Sequence, residues 1–238
     1  MFDYGELTKL GNRSVQEDRL AAASAGSRQL YIICDGLGGH RGGAEAAELA
    51  RDTFVEILTD QGTVEDYLHR AFGLAQERIL QKQAECPELA RMKTTVAALV
   101  LEHDMAWVGY IGDSRVYLFR NSGNHHRTRD HTVAQALVNA GELKEAELRE
   151  HPDRNRLLRS MGSPWQSPRY VLEKPVPLGD IRAILLCTDG FWSEIREERM
   201  TALLDGTDSG QAWLDAMYAE FTPAADRDNH SAIALLKK

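Results

Sequence analysis

The sequence predicts an α+β fold in which two antiparallel β-sheets are flanked by helices. Three observations lead there. Strand-like runs at 94–101, 105–111 and 115–119 follow one another through connections too short for parallel crossovers. Two amphipathic helical stripes precede those runs, and two more precede a final apolar strand. The strict strand–helix alternation of a doubly wound parallel sheet is missing.

Residues 5–35 read as extended segments around a polar loop, Gly11 to Asp18. The run from Leu30 to Cys34 is short and apolar on both faces, as a buried strand is. It ends in Asp35 and a glycine-rich turn holding Gly36, Gly38 and Gly39, where backbone can approach a ligand closely. Asp-Gly also makes hairpin turns. The helical pattern that follows weakens that reading. Ala47, Ala50, Phe54 and Ile57 recur at helical spacing, giving a first helix over 42–59. Val64, Tyr67, Leu68, Ala71 and Ile79 give a second, with Thr63 as its cap and Asp66 three residues on. After the three strands, 121–130 is a polar loop whose His125 and His126 read as surface residues. A short helix over 132–140 closes at Gly141. Residues 142–168 are charged, contain Pro152, Pro164 and Pro168, and lack a period; they read as a functional loop inside one domain spanning 1–238. Strands at 169–174 and 181–188, helices at 197–204 and 211–221, and a strand at 233–236 complete the chain.

With 238 residues, 43% apolar and 27% charged, the chain is an ordinary globular sequence. The net charge of −8 and the absence of a lysine–arginine block argue against nucleic acid as a partner. Cys34, Cys86 and Cys187 do not make a disulfide framework and read as small apolar side chains. The N-terminus lacks a signal pattern, and no apolar run reaches the roughly 18 residues of a membrane helix. A cytoplasmic location is expected.

The chemistry lies in acids at strand ends. Asp35, Asp113, Asp189 and Asp228 each stand beside glycine or a small polar residue. One such acid is a turn; four imply carboxylates gathered at one sheet edge. Two charges about 4 Å apart repel by roughly 4 kcal/mol at an effective dielectric of about 20, so such a group needs cations or protons. All-oxygen ligands favour Mg²⁺ or Mn²⁺ over zinc. No phosphate-binding Gly-Lys pair occurs, and Gly112-Asp113-Ser114-Arg115-Val116 fails as a nucleophile elbow. Two oxygen-bound ions with an arginine such as Arg13 would suit attack of water on a phosphate ester.

These motifs together resemble the metal-dependent protein phosphatases of the PPM family, type 2C, in their compact bacterial form. The resemblance rests on Arg13 with Glu17-Asp18, Asp35-Gly36-x-Gly38-Gly39-His40, Thr94-Thr95, Gly112-Asp113-Ser114-Arg115, Thr188-Asp189-Gly190 and Asp228-Asn229, in the family's order. It implies a four-layer α-β-β-α sandwich and hydrolysis of phosphoserine and phosphothreonine on proteins, without a covalent intermediate. It implies two core Mn²⁺ or Mg²⁺ ions and a third, weaker one. Asp35 would bridge two ions, the Gly36 carbonyl would bind one of them, and Asp189 and Asp228 the other. Asp113, helped by Asp189, would hold the third ion. Arg13 would bind the substrate phosphate, Glu17 and Asp18 would act through bound water, Asn229 would support Asp228, and 141–168 would be a flap beside the site. The implied partners are phosphorylated proteins, including a serine/threonine kinase, acted on by a monomer. His40 is either an acid or substrate-orienting group or a structural histidine at the helix start. Leu37, Gln16 and Lys93 depart from residues commoner in the family, and none is a metal ligand. A pseudophosphatase that binds phosphoproteins without turnover is the alternative, as is a phosphatase tuned to one regulatory protein.

Overall fold

The computed structural model describes residues 1–38, 42–222 and 228–238. Its strands are β1 (Phe2–Lys9), β2 (Arg19–Ala25), β3 (Arg28–Cys34), β4 (Gly36–Leu37), β5 (Lys93–Thr94), β6 (Val96–Glu102), β7 (Met105–Ile111), β8 (Arg115–Arg120), β9 (His125–Arg127), β10 (Val171–Leu172), β11 (Val176–Pro177), β12 (Ile181–Cys187) and β13 (His230–Lys237). Its helices are α1 (Gly42–Glu56), α2 (Val64–Glu85), α3 (Val133–Ala140), the single turn α4 (Asp189–Trp192), α5 (Glu197–Leu204) and α6 (Gly210–Tyr218).

Two antiparallel sheets stack face to face. One runs β1-β13-β12-β8-β9; the other runs β10-β7-β6-β3-β2, with β11 also paired to β7. Three apolar layers separate four structural ones. Leu99, Ile33, Val116 and Ile233 fill the space between the sheets. Phe54, Phe72 and Leu68 join α1 and α2 to the β3–β6 face. Trp192, Trp213 and Met217 join α4 to α6 to the β12–β13 face. The four-layer α-β-β-α sandwich is thus the observed architecture. The central strands β6 and β12 bury both faces, which is why they read as unbroken apolar runs.

Local chemistry sets the boundaries. The Thr63 side chain accepts from Asp66 N–H while the Asp66 carboxylate accepts from Thr63 N–H, a reciprocal cap that starts α2. Thr132 caps α3, and Gly141, at φ 77°, ends it. The β6–β7 hairpin turns on His103 and Asp104, both at positive φ, as a two-residue loop matched to sheet twist requires.

Some boundaries move. The first strand begins at Phe2, because its whole length pairs with β13. The expected run 94–101 breaks at Thr95: Lys93 and Thr94 pair with Leu37 and Gly36, and the main strand starts at Val96. His125 and His126, expected in a loop, form the edge strand β9 beside β8 and stay exposed. Cys34 and Cys187 are buried in strands, and all three cysteines are free. Among the described residues, no helix is long and apolar enough to cross a membrane.

Candidate active site

The strand registers bring one end of each sheet to the same end of the sandwich. Cys34 pairs with Arg19, Ile111 with Val96, Cys187 with both Arg115 and Ala232, and Lys9 with His230. The residues just beyond these pairs are Asp35, Asp113, Asp189, the loop 10–18 and Asp228-Asn229. Acids that follow strands of different sheets therefore meet at one edge.

Asp35 is fixed through its backbone. Its N–H donates to Thr95 Oγ1 (2.9 Å), and its carbonyl accepts from Thr94 Oγ1 (2.9 Å) and Thr95 N–H (2.9 Å). Thr95 Oγ1 also lies 2.7 Å from Ser114 Oγ. The two threonines and Ser114 thus clamp Asp35 to the neighbour of Asp113. Next to it the chain passes close to α1: a Cβ on Gly36 would stand 2.2 Å from the Gly43 carbonyl oxygen and 2.7 Å from that of Glu17. Only glycine fits there.

Asp113 lies on the crossover between the sheets and is 3% exposed. Its carbonyl accepts from the Trp192 indole N–H at 2.9 Å. That indole lies under the Arg115 guanidinium, 3.4 Å from its centre. Arg115 makes two bonds to Asp130 (2.8 and 2.7 Å), and Arg149 bonds Glu197 at 2.9 Å and the Trp192 carbonyl. Asp189 opens α4. The residue after it, Gly190, would place a Cβ 2.0 Å from the Asn229 carbonyl oxygen, so α4 and the Asp228-Asn229 turn touch backbone to backbone.

The loop 10–18 is tied down by Asn229. Its Oδ1 accepts from Glu17 N–H (2.8 Å), and its Nδ2 donates to the carbonyls of Leu10 (2.9 Å) and Val15 (3.2 Å). Its own N–H donates to Asp228 Oδ1 at 2.8 Å. Asn229 therefore contacts Asp228 through backbone and holds the Arg13 loop with its side chain. Arg13 Nη2 donates to Asp228 Oδ2 at 2.8 Å. Gln16 spans the loop, accepting from Asp18 N–H and donating to the Lys9 carbonyl. Asp18, 4% exposed, accepts from Thr188 Oγ1 at 3.1 Å.

Arg13, Glu17, Asp35, Asp113, Asp189 and Asp228 line one cavity of about 290 Å³. Among the described residues no three acidic, thiol or imidazole groups close on one point. Their charge is strained. Burial, then repulsion from Asp189, holds the Asp35 and Asp113 carboxyls well above the ordinary range. Burial and the charge of Asp228 raise Asp189, opposed by a hydrogen bond with Asp35. Burial foremost, with Asp189 adding to it, pushes Asp18 up to about 7. Glu17 is raised by burial and Asp228, with Arg13 opposing.

His40 lies outside the described residues. Leu37 lines the cavity. Sequence reasoning missed four features. Asn155 and Leu157 from 141–168 also line the cavity. The charge of Arg154 reaches Asp189. Trp192 and Arg149 brace Asp113, and the tryptophan three residues after Asp189 was the available signal. His131 is another: its N–H and Nδ1 bond the carbonyl and N–H of Gly112, and burial with the charges of Arg159 and Arg169 pushes it down to about 4.

A family model for protein phosphatase 2C matches residues 8–225. The serine/threonine phosphatase stp of Listeria welshimeri is 28% identical over 210 residues, covering 85% of this chain and 82% of that protein. The structure of the S. agalactiae serine/threonine phosphatase superposes with a TM-score of 0.88 at 22% identity, covering 100% of both chains. The catalytic domain of the serine/threonine phosphatase PstP, solved with two manganese ions, superposes with a TM-score of 0.81 at 24% identity, covering 99% of this chain and 97% of that one. With the motifs, the sandwich and the family model all in agreement over most of its length, the chain belongs to the protein phosphatase 2C family.

Proposed function

We propose that this chain is a metal-dependent serine/threonine protein phosphatase that hydrolyses phosphoserine and phosphothreonine with water, and that it reverses the action of a serine/threonine kinase. The observation that carries this is that Asp35, Asp113, Asp189 and Asp228 line one cavity together with Arg13. Three of these acids are raised by burial and by each other, so the cavity is short of positive charge. Carboxylate and carbonyl oxygens are the donors that Mn²⁺ and Mg²⁺ take. Asp35, the Gly36 carbonyl, Asp189 and Asp228 would hold two ions, and Asp113 with Asp189 a third. When bound, the ions neutralise the acids and activate water as a nucleophile.

The chain's own residues then do the rest. Arg13, on a loop held by Asn229, offers two guanidinium N–H groups to phosphate oxygens in a fork. Moving from Asp228 to phosphate requires only side-chain rotation, because the loop backbone is already fixed. Glu17 lines the same cavity, and Asp18, buried beside Thr188 and pushed up to about 7, can accept a proton at neutral pH. Phosphate-monoester hydrolysis is among the slowest uncatalysed reactions, so prearranged charge is the main requirement.

The test is hydrolysis of p-nitrophenyl phosphate and a phosphothreonine peptide in EDTA, Mg²⁺ and Mn²⁺. Turnover with either metal and none in EDTA is expected. Activity that survives full chelation would sink the metal reading; binding of phosphopeptide with no turnover in any metal would identify a pseudophosphatase.

A further inference from the structure

The segment 151–170 is a basic island on an acidic protein. It carries Arg154, Arg156, Arg159 and Arg169 against the single acid Asp153, on a chain with 36 acidic and 28 basic residues. Arg159, Trp165, Gln166, Ser167 and Arg169 line a groove of about 580 Å³, compared with about 290 Å³ for the acidic cavity. Neither arginine has a carboxylate partner among the described residues; Arg159 donates only to the Arg169 carbonyl, at 3.5 Å.

The groove is built on fixed parts. Trp165 packs on Tyr170, which stacks on Phe72 of α2 at 4.3 Å, and the Tyr170 hydroxyl lies 2.6 Å from His69 Nδ1. Gln76 of α2 donates to the Ser163 carbonyl at 2.7 Å and accepts from Gly162 N–H at 2.8 Å. The groove also adjoins the candidate active site. Leu157 lines the acidic cavity and Arg159 the groove, and two residues of chain span at most about 7 Å. Between them Leu158 N–H bonds the His131 carbonyl (2.7 Å), and His131 N–H bonds the Gly112 carbonyl (2.9 Å) beside Asp113.

We propose that Arg159 and Arg169 form a second anion subsite that takes an aspartate or glutamate side chain of the substrate protein, roughly two to four residues from the phosphorylated one. This rests on the phosphatase reading of the neighbouring cavity. The acidic cavity repels an acidic peptide, and the guanidinium groups next to it, without a carboxylate partner among the described residues, supply the opposite charge. Two guanidinium groups on a chain of net charge −8 are too few for a nucleic-acid track, so a protein side chain is the better fit.

The test compares phosphothreonine peptides bearing glutamates two to four residues either side of the phosphothreonine with alanine counterparts, for the parent and for the double variant Arg159→Gln/Arg169→Gln. Two partly exposed charge pairs predict about a tenfold preference in kcat/KM for the glutamate peptide, smaller at high salt. The variant should lose that preference and keep p-nitrophenyl phosphate and alanine-peptide turnover within about twofold of the parent. A parent that treats both peptides alike, or a variant that keeps the preference, overturns the subsite. Failure of the parent on every substrate would instead refute the phosphatase reading. In that case anisotropy of the two labelled peptides on metal-free protein still decides the groove: tighter glutamate-peptide binding, lost in the variant, supports it, and equal binding overturns it. Displacement of the glutamate peptide by a single-stranded oligonucleotide at far lower concentration than by unlabelled peptide would assign the groove to nucleic acid, against the proposal.

Discussion

Arg13 and Asp228, 215 positions apart in the sequence, meet at 2.8 Å across the mouth of the cavity. Both side chains are about half exposed, at 54% and 43%. The phosphate-binding candidate thus rests on a metal-ligand candidate. Exposed pairs of this kind contribute about 0–1 kcal/mol, so either phosphate or metal can displace the contact.

Arg13→Ala should raise KM for a phosphothreonine peptide about tenfold, the loss of a charge-assisted contact, with a smaller effect on kcat. Removing a competitor for Asp228 should also leave Mn²⁺ affinity unchanged or up to about fivefold tighter. Calorimetric titration with Mn²⁺ checks this; a collapse of metal affinity would show instead that Arg13 holds Asp228 in place.

The metal-free protein should lose stability as pH rises from about 6.5 to 8. Asp18 sits at about 7, and Asp35 and Asp113 are held well above the ordinary carboxylate range. Raised carboxyls bind more protons in the folded than the unfolded chain, so unfolding free energy falls with pH through that window. His131, lowered to about 4, acts in the opposite sense, but only between about pH 4 and its unfolded value near 6.5. Thermal melts in EDTA at pH 6.5, 7.2 and 8.0 test the slope; a midpoint that climbs across this range contradicts it. Saturating Mn²⁺ should flatten or reverse the trend.

Asp189→Asn should leave the metal-free protein as stable as the parent or slightly more so, because it removes one charge from a repelling group. It should abolish most of the stabilisation on adding Mn²⁺. One site at free metal about 100 times Kd contributes about 2.7 kcal/mol. That corresponds to roughly 5–11 °C at about 2–4 °C per kcal/mol. A variant that keeps the whole shift would make Asp189 a turn residue only.

Asn229→Ala removes the bonds to Glu17, Leu10 and Val15. At about 1 kcal/mol each, the expected loss is roughly 3 kcal/mol, read in urea unfolding. KM for phosphopeptide should rise as well, because the Arg13 loop is released. A variant with parental KM would show that the loop keeps its shape without the asparagine.

The sandwich was legible because its signals are local. Short connections between β6, β7 and β8 force antiparallel pairing, and helical stripes mark α1 and α2. Edges were less legible. β9 carries two exposed histidines and is a strand only because β8 offers it a free edge. Thr94 and Thr95 stood out as a motif, yet their role as the clamp on the Asp35 backbone depends on partners about 60 positions away.

The sequence by itself determined the layers, the strand-end acids and the hard-oxygen character of the site, since each follows from neighbouring residues. Tertiary structure alone decided which side chains meet. Pairing of β1 with β13, in the register Lys9 to His230, sets the loop 10–18 beside Asp228-Asn229, and this makes the Arg13–Asp228 and Asn229–Glu17 contacts possible. The crossover from β7 to β8 carries Asp113 between the sheets, and Trp192 reaches it from a helix nearly eighty residues later. The basic groove came from the same source: arginines 159 and 169 look like scattered loop charges until the Trp165–Tyr170–Phe72 stack anchors their loop on α2. Spacing along the chain encodes elements, whereas a site is a meeting of distant residues, and that meeting is fixed by sheet register and side-chain packing.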